Sequence, residues 1–153
     1  MATETQKAKL SAGQLVPPFR LSAANRDRQF GPSDYKQHRN LVLIFFRSVE
    51  CRKCRQLLLE IAAHYGEYRQ MEAEVLAISA DEINHLRQLA QELALPFPVL
   101  SDSDGRVTDL YMKQPEEAAE TAAPEAAVFV ADRWGAIFTR KIAAEEHDLL
   151  AEA

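Results

Sequence analysis

An uninterrupted apolar run, from Leu41 to Phe46, is the most distinct feature of the hydrophobic pattern. The absence of polar alternation is typical of a strand that is covered on both faces, as in a parallel sheet. Further apolar runs predict strands over Glu74–Ala80 and Val128–Ala131. A turn at Asp132–Gly135 follows, and it predicts that Ala136–Lys141 returns as an antiparallel partner.

Helical periodicity follows the first two of these strands. From Cys51 to about Arg69, apolar side chains recur at helical spacing and form one stripe; its members are Cys54, Leu57, Leu58, Ile61, Ala62 and Tyr65. Ile83–Leu95 predicts a second amphipathic helix, with Asp81 as its cap. Short helices are expected over Val107–Met112 and Glu145–Ala153.

Weaker signals fill the rest of the chain. Phe19–Ala23 and Arg28–Gly31 predict a β-hairpin, and Ser33–Gln37 predicts one short helical turn. Phe97–Leu100 is expected to be a short extended segment. Gln114–Ala127 is dominated by Pro, Glu and Ala, a composition that fits either a mobile loop or a short helix.

The alternation of strands and helices predicts an α/β fold with parallel strands at its centre. The hairpins at both ends add antiparallel strands, so we expect a central mixed sheet flanked by helices, with an N-terminal β-hairpin. The 153 residues fit one domain. We expect a flexible N-terminal tail over residues 1–12 and a single domain over residues 13–153.

Composition narrows the range of partners. The formal net charge is −5, which does not suit a protein that coats nucleic acid. No apolar run approaches the roughly 20 residues that a transmembrane helix needs. Met1–Leu10 lacks the apolar core of a secretory signal. These features predict a cytoplasmic protein that binds neither nucleic acid nor membrane.

The two cysteines, Cys51 and Cys54, are the candidate chemical centre. They come directly after a predicted buried strand, at the expected start of a helix, where free backbone N–H groups and nearby cations favour a thiolate. We expect Cys51 to attack and Cys54, one turn deeper, to resolve the product as a disulfide. The basic neighbours should make that disulfide a stronger oxidant; they are Arg47, Arg52, Lys53 and Arg55.

Two other interpretations of the pair remain open. A structural zinc ion requires four ligands, and only His38 and His64 are plausible additions in a chain with no second pair of cysteines. A degenerate pair without turnover is the other. The redox interpretation requires no bound cofactor.

Longer motifs resemble a known family. The strand that ends in Phe45-Phe46-Arg47 before the cysteine pair is similar to the corresponding strand of the AhpC/TSA, or redoxin, branch of the thioredoxin superfamily, which includes the peroxiredoxins. Leu95–Gly105 resembles that family's LPFPLLSDPDG segment, and Phe129–Gly135 its FVIDRDG turn. The likeness extends over residues 13–141. It implies a thioredoxin-like fold and a thiol-dependent oxidoreductase.

The resemblance also implies site residues, and the chain departs from some of them. Ser48 occupies the place of the hydroxyl residue that precedes the reactive cysteine in peroxiredoxins, and Arg47 is placed to lie over the thiolate. Ile44 stands where peroxiredoxins have a proline. Ala126 aligns with their active-site arginine and with the cis-proline of thioredoxins, a role that Pro124 takes if the loop is two residues longer.

The expected substrate is either a peroxide or a protein disulfide, and the expected reductant is of the thioredoxin or glutathione type. A homodimer is possible by analogy with the family. A different class of function is also open, namely a non-enzymatic thioredoxin-fold module that binds a partner. The incomplete active-site sets and the unusual 114–125 segment favour that second class.

Overall fold

The computed structural model describes residues 13–112 and 126–142. The described elements are β1 (Leu21–Ala23), β2 (Gln29–Phe30), a 3-10 turn (Pro32–Asp34), β3 (Asn40–Phe46), α1 (Arg52–Ala63), α2 (Tyr65–Gln70), β4 (Ala73–Ser79), α3 (Ile83–Leu93), β5 (Val99–Ser101), α4 (Arg106–Met112), β6 (Ala126–Ala131) and β7 (Ile137–Ile142).

Within the described residues the strands form one seven-stranded sheet in the order β2-β1-β5-β4-β3-β6-β7. The three central strands β5, β4 and β3 are parallel, whereas β1 pairs antiparallel with β5 and β6 pairs antiparallel with β3. The predicted mixed sheet and N-terminal hairpin are confirmed. The carboxyl ends of β3 and β4 therefore lie side by side at one edge of the sheet.

Alternate residues of β3 point to opposite faces, and both faces are covered, as its unbroken apolar run predicts. On one face Val42, Ile44 and Phe46 pack with residues of α1 and α3. On the other face Leu43 and Phe45 pack with Tyr111 of α4 and with partners from β4 and β6. Because β3 is buried on both faces, it is held firmly in the centre of the sheet. The loop that follows Phe46 therefore begins at a fixed point.

The helix predicted from Cys51 to Arg69 is interrupted. The helix α1 ends at Ala63, and α2 starts at Tyr65 after the tight turn in which His64 N–H donates to Ile61 O at 3.1 Å. The turn directs Tyr65 toward the core, where its ring lies edge-on to Phe97 at 5.8 Å. The interruption of the helix at His64 thus allows the Tyr65 ring to contact Phe97, which a continuous helix is not expected to allow.

Other boundaries differ from the expectation by a few residues. The short turn spans Pro32–Asp34 instead of Ser33–Gln37, and β5 spans Val99–Ser101 instead of Phe97–Leu100. The antiparallel neighbour of β3, strand β6, starts at Ala126, two residues earlier than expected, because Ala126 and Ala127 pair with the end of β3. From composition, these two residues are expected in the preceding Glu- and Ala-rich segment.

Several expectations fall outside the described residues: the tail over 1–12, most of the 114–127 segment, Pro124, and the C-terminal helix over 145–153. The division of the chain at residue 12 stays a prediction. In the part of the chain that is described, no helix has the length and apolar character needed to cross a membrane.

Candidate active site

The cysteine pair lies at the carboxyl end of β3. A loop of four residues, 47–50, leads from the strand to Cys51, which is the N-cap of α1. The cap has an extended backbone, and its sulfur accepts a hydrogen bond from the backbone N–H of Cys54 at 3.1 Å. The first cysteine therefore lies at the start of the helix, as the sequence predicts, and occupies the cap position.

The two cysteines differ in exposure. They are joined by a disulfide, with the Cα atoms 5.2 Å apart. Cys51 is half-buried at the mouth of the site, whereas Cys54 is 1% exposed and packs in the same apolar cluster as Phe46 and Ala126. Only the first cysteine is open to a substrate, as expected of an attacking residue with a resolving partner one turn deeper.

Ser48 shapes the loop before the pair. Its hydroxyl accepts a hydrogen bond from the N–H of Glu50 at 3.1 Å, and its carbonyl accepts one from the N–H of Cys51 at 3.2 Å. These bonds form a compact turn that delivers Cys51 to the helix. They are the bonds of a serine turn in the loop, whereas the cap of α1 is Cys51; the catalytic function of Ser48 stays a prediction.

The peptide groups on either side of Val49 are held by side chains from other parts of the chain. The N–H of Val49 donates to Oδ2 of Asp81 at 3.0 Å, and Nε of Arg55 donates to the carbonyl of Val49 at 2.6 Å. Arg55 also contacts Glu92 of α3 at 3.2 Å. The loop before the cysteines is thus attached to both α1 and the β4–α3 connection.

Asp81 was expected to cap α3, and that prediction is wrong. The N-cap is Glu82, without a side-chain hydrogen bond. The Asp81 carboxylate instead accepts from the Val49 N–H and from the hydroxyl of Ser79, which is fully buried. The sequence held a signal for this position, because Asp81 follows β4 and the carboxyl ends of adjacent parallel strands meet at one sheet edge.

Several charged residues lie close in sequence to the cysteine pair. Arg47, Arg52 and Lys53 are exposed, and Glu50 is an exposed opposing charge. The N–H groups at the start of α1 add the positive end of the helix dipole. The expected stabilisation of a Cys51 thiolate by these charges, including the contribution of Arg47, stays a prediction.

The structure also places the residues that depart from the family pattern. Ile44 is fully buried in the middle of β3, between Ala77 of β4 and Val128 of β6. Ala126 starts β6 opposite Phe46, is 2% exposed and belongs to the cluster that holds Cys54. The equivalence of Ala126 with the family's active-site arginine stays a prediction from the resemblance.

No group of three or more His, Cys, Asp and Glu side chains suited to a metal ion occurs among residues 13–112 and 126–142. His38 and His64, the ligands that the zinc alternative required, are both exposed, and His64 contacts Glu67 at 3.3 Å. The described residues therefore offer no support for a zinc site at the cysteine pair.

A groove of about 420 Å³ lies at the opposite end of the sheet from the cysteines. Its lining is largely apolar and includes Val16, Tyr35, Leu41 and Ala131. Leu41 is near the start of β3, whereas the cysteines follow its end. The groove is therefore separate from the redox centre.

Comparison with known proteins agrees with this architecture. The sequence matches the AhpC/TSA family profile over residues 12–139. Relatives include peroxiredoxin Q of Sedum lineare, chloroplastic, 28% identical over 65% of this chain and 53% of the relative. Another is the chloroplastic 2-cysteine peroxiredoxin of Chattonella marina var. antiqua, 27% identical over 84% of this chain and 68% of the relative.

A solved structure extends the likeness to the fold. Peroxidoxin BcpB from Mycobacterium tuberculosis superposes with a TM-score of 0.78 at 17% identity, over 94% of this chain and 92% of that chain. The predicted thioredoxin-like fold is thereby confirmed. The chain spans about half the length of the Sedum relative.

Proposed function

Because the chain belongs to the AhpC/TSA family, we propose that it is a peroxiredoxin-like, thiol-dependent oxidoreductase that works through Cys51 and Cys54. One observation carries the proposal: a half-buried cysteine at a helix N-cap is disulfide-bonded to a buried cysteine in the next turn. A sulfur in that position receives N–H donors that favour its thiolate form. The buried partner lies within reach to complete the reaction.

With a peroxide as substrate, the Cys51 thiolate attacks one peroxide oxygen and the O–O bond breaks. The departing oxygen takes up a proton and leaves as water or an alcohol, and Cys51 becomes a sulfenic acid. The thiol of Cys54 then attacks that sulfur, water leaves and the disulfide forms. A reductant of the thioredoxin or glutathione type returns two electrons and two protons, so that both thiols are restored.

With a protein disulfide as substrate, the same nucleophile attacks a sulfur of the substrate and forms a mixed disulfide. Cys54 then attacks Cys51, which releases the reduced substrate and closes the internal disulfide. The spacing of three positions and the short loop before the pair favour this exchange chemically. The relatives named as peroxiredoxins favour peroxide. Both reactions require the same two residues in the same order.

We assign supporting functions to the neighbours of the pair. The exposed charges of Arg47, Arg52 and Lys53 stabilise the thiolate and the dithiol state, which makes the disulfide a stronger oxidant. Ser48 orients the loop through its two hydrogen bonds. A reduction potential well below that of thioredoxins, about −270 mV, would contradict the assignment of the cations.

A partner-binding module without turnover is the second candidate, and one observation favours it. Ala126, which the resemblance aligns with the family's active-site arginine, is an apolar member of the cluster that contains Cys54. Without that guanidinium, a bound peroxide lacks one of its usual hydrogen-bond donors. This argument weakens the peroxide reaction more than it weakens disulfide exchange, which requires only the two sulfurs.

Parallel assays separate these possibilities. Peroxide consumption and the reduction of insulin disulfides are followed with dithiothreitol as the reductant, for the wild type, Cys51→Ser and Cys54→Ser. We expect Cys51→Ser to lose every activity that the wild type shows. If Cys51→Ser equals the wild type in both assays, the enzymatic proposal fails and the binding module is favoured. A cytoplasmic location and a homodimer stay predictions.

A further inference from the structure

We propose that Asp81 and Arg55 are positioning residues that hold the loop before Cys51 in one place while the disulfide opens and closes. The inference rests on the proposed function, because it concerns how Cys51 returns to Cys54. Neither residue is assigned a contact with the substrate. Their contribution is to fix the backbone from which Cys51 reacts.

The position of Asp81 is itself well determined. Its Oδ2 accepts from the Val49 N–H at 3.0 Å and from the hydroxyl of Ser79 at 2.5 Å. Its backbone N–H donates to the same hydroxyl at 3.2 Å, and its carbonyl accepts from the hydroxyl of Ser101 at 2.8 Å. Asp81 is therefore tied to the ends of two central strands, β4 and β5, before it contacts the loop.

Arg55 secures the other side of Val49. Its Nε donates to the Val49 carbonyl at 2.6 Å, and its Nη1 lies 3.2 Å from Oε1 of Glu92 on α3. The N–H and the carbonyl of Val49 belong to successive peptide groups, so both peptides on either side of this residue are held. A four-residue loop with two consecutive peptides fixed has little freedom left.

This attachment matters most when the disulfide is open. In the closed state the S–S bond and the hydrogen bond from Cys54 N–H both hold Cys51. In the open state the covalent link is gone, and Cys54 is buried in the core and cannot move out to meet its partner. Closure therefore depends on Cys51 staying in place, and misplacement by about 1 Å can cost a reaction step roughly a hundredfold.

The test measures disulfide closure directly. The reduced full-length protein is mixed with one equivalent of hydrogen peroxide, quenched at intervals and analysed by mass spectrometry for sulfenic acid and for the Cys51–Cys54 disulfide. In Asp81→Ala we expect closure to be slowed roughly tenfold or more. Formation of the sulfenic acid should change much less, because that step does not require Cys51 to meet Cys54.

A rescue and a control distinguish positioning from general damage. Asp81→Asn keeps an oxygen that can accept both hydrogen bonds, so its closure rate should stay near that of the wild type. Asn25→Ala removes two comparable hydrogen bonds, to Phe97 O and from Val99 N–H, at the start of β5. These bonds are at the start of β5, whereas Asp81 contacts Ser101 at its end. We expect the Asn25→Ala variant to be less stable than the wild type but to close its disulfide at the wild-type rate.

Arg55→Met keeps the aliphatic part of the side chain and removes the donor to the Val49 carbonyl. If Asp81→Ala does not fold, this variant tests the positioning proposal instead. We expect it to slow closure as well. The proposal is overturned if Asp81→Ala, or in its absence Arg55→Met, closes at the wild-type rate, or if Asn25→Ala slows closure equally. If the wild type itself forms no disulfide with peroxide or with oxidised glutathione, the proposed function fails and this inference fails with it.

Discussion

The sulfur of Cys51 accepts a hydrogen bond from the backbone N–H of Cys54 at 3.1 Å. The same atom that forms the disulfide therefore also caps the helix that carries its partner. The cap and the redox chemistry share one side chain, so a change at Cys51 affects both. Suitable variants can separate the two effects.

The first prediction concerns the cap. In the reduced protein, Cys51→Ser keeps an acceptor at the N-cap, whereas Cys51→Ala removes it. Loss of a side-chain cap costs about 1 kcal/mol, so we expect the free energy of unfolding of the alanine variant to be lower than that of the serine variant by about that amount. Urea unfolding in excess dithiothreitol measures the difference, and equal stabilities would show that a side-chain acceptor at position 51 contributes no cap.

The second prediction concerns stability at alkaline pH. Burial raises the pKa of Tyr111 well above its ordinary value, and burial, reinforced by the Glu74 and Asp34 carboxylates, raises the pKa of Tyr35 to about 12. In the unfolded chain tyrosine ionises near pH 10. The stability contributed by the neutral phenols is therefore fully present below about pH 10 and is lost as the pH rises above that value.

Tyr111→Phe tests this account. The variant keeps the ring that stacks on Phe45 at 4.7 Å but loses the hydrogen bond to Pro17 O at 2.7 Å. We expect it to be about 1 kcal/mol less stable than the wild type at neutral pH. Its further loss of stability above about pH 10 should be smaller than that of the wild type. Parallel declines in urea unfolding across this range would contradict the assignment to Tyr111.

The third prediction uses two glycines in different surroundings. A Cβ at Gly31 would collide with the backbone carbonyl of Phe19, next to the N-terminal hairpin. A Cβ at Gly66, in α2, would have no heavy atom within 4 Å. We expect Gly31→Ala to cost about 1–3 kcal/mol of unfolding free energy.

Gly66→Ala is the matched change. Because alanine lowers the entropy of the unfolded chain and favours the helix, we expect a gain of about 0.5–1 kcal/mol. Thermal unfolding of both variants gives the comparison. A Gly31→Ala variant as stable as the wild type would mean that the backbone around Phe19 and Gly31 relaxes, and that the close approach is not required.

The parts of the fold that the sequence predicts are those in which the hydrophobic pattern has a single explanation. Leu41–Phe46 is apolar throughout, and only a strand covered on both faces buries all six side chains. The stripe of α1 starts at Cys54, which fixed the depth of the second cysteine. The position of the redox pair followed from these two patterns together.

The parts that the sequence does not predict depend on contacts between distant residues. The interruption at His64 arises where Tyr65 turns to pack on Phe97 and to donate to Glu74 at 2.7 Å. Ala126 and Ala127 have little intrinsic preference for strands, and they join β6 because the end of β3 offers them partners.

Asp81 shows the same limit within the site. An aspartate just before a helix is usually expected to be its N-cap. The sequence around Asp81 contains no sign of the competing donor, the N–H of Val49, which lies 32 residues earlier in the chain. The carboxylate is drawn to that donor because the ends of β3 and β4 are adjacent in the sheet. The strand order could suggest that these strand ends are adjacent, but the choice of the Val49 N–H as the partner of Asp81 is seen only in the tertiary structure.

The most direct test of the account is a chemical map of the two sulfurs after a single turnover. Reduced protein is treated with one equivalent of hydrogen peroxide or, in a parallel sample, oxidised glutathione; remaining thiols are alkylated, and peptides are analysed by mass spectrometry. We predict a Cys51–Cys54 disulfide in the wild type, an adduct on Cys51 in Cys54→Ser, and an unmodified Cys54 in Cys51→Ser. Oxidation of Cys54 in Cys51→Ser at the wild-type rate, or two free thiols in the treated wild type, would contradict the assignment of Cys51 as the nucleophile.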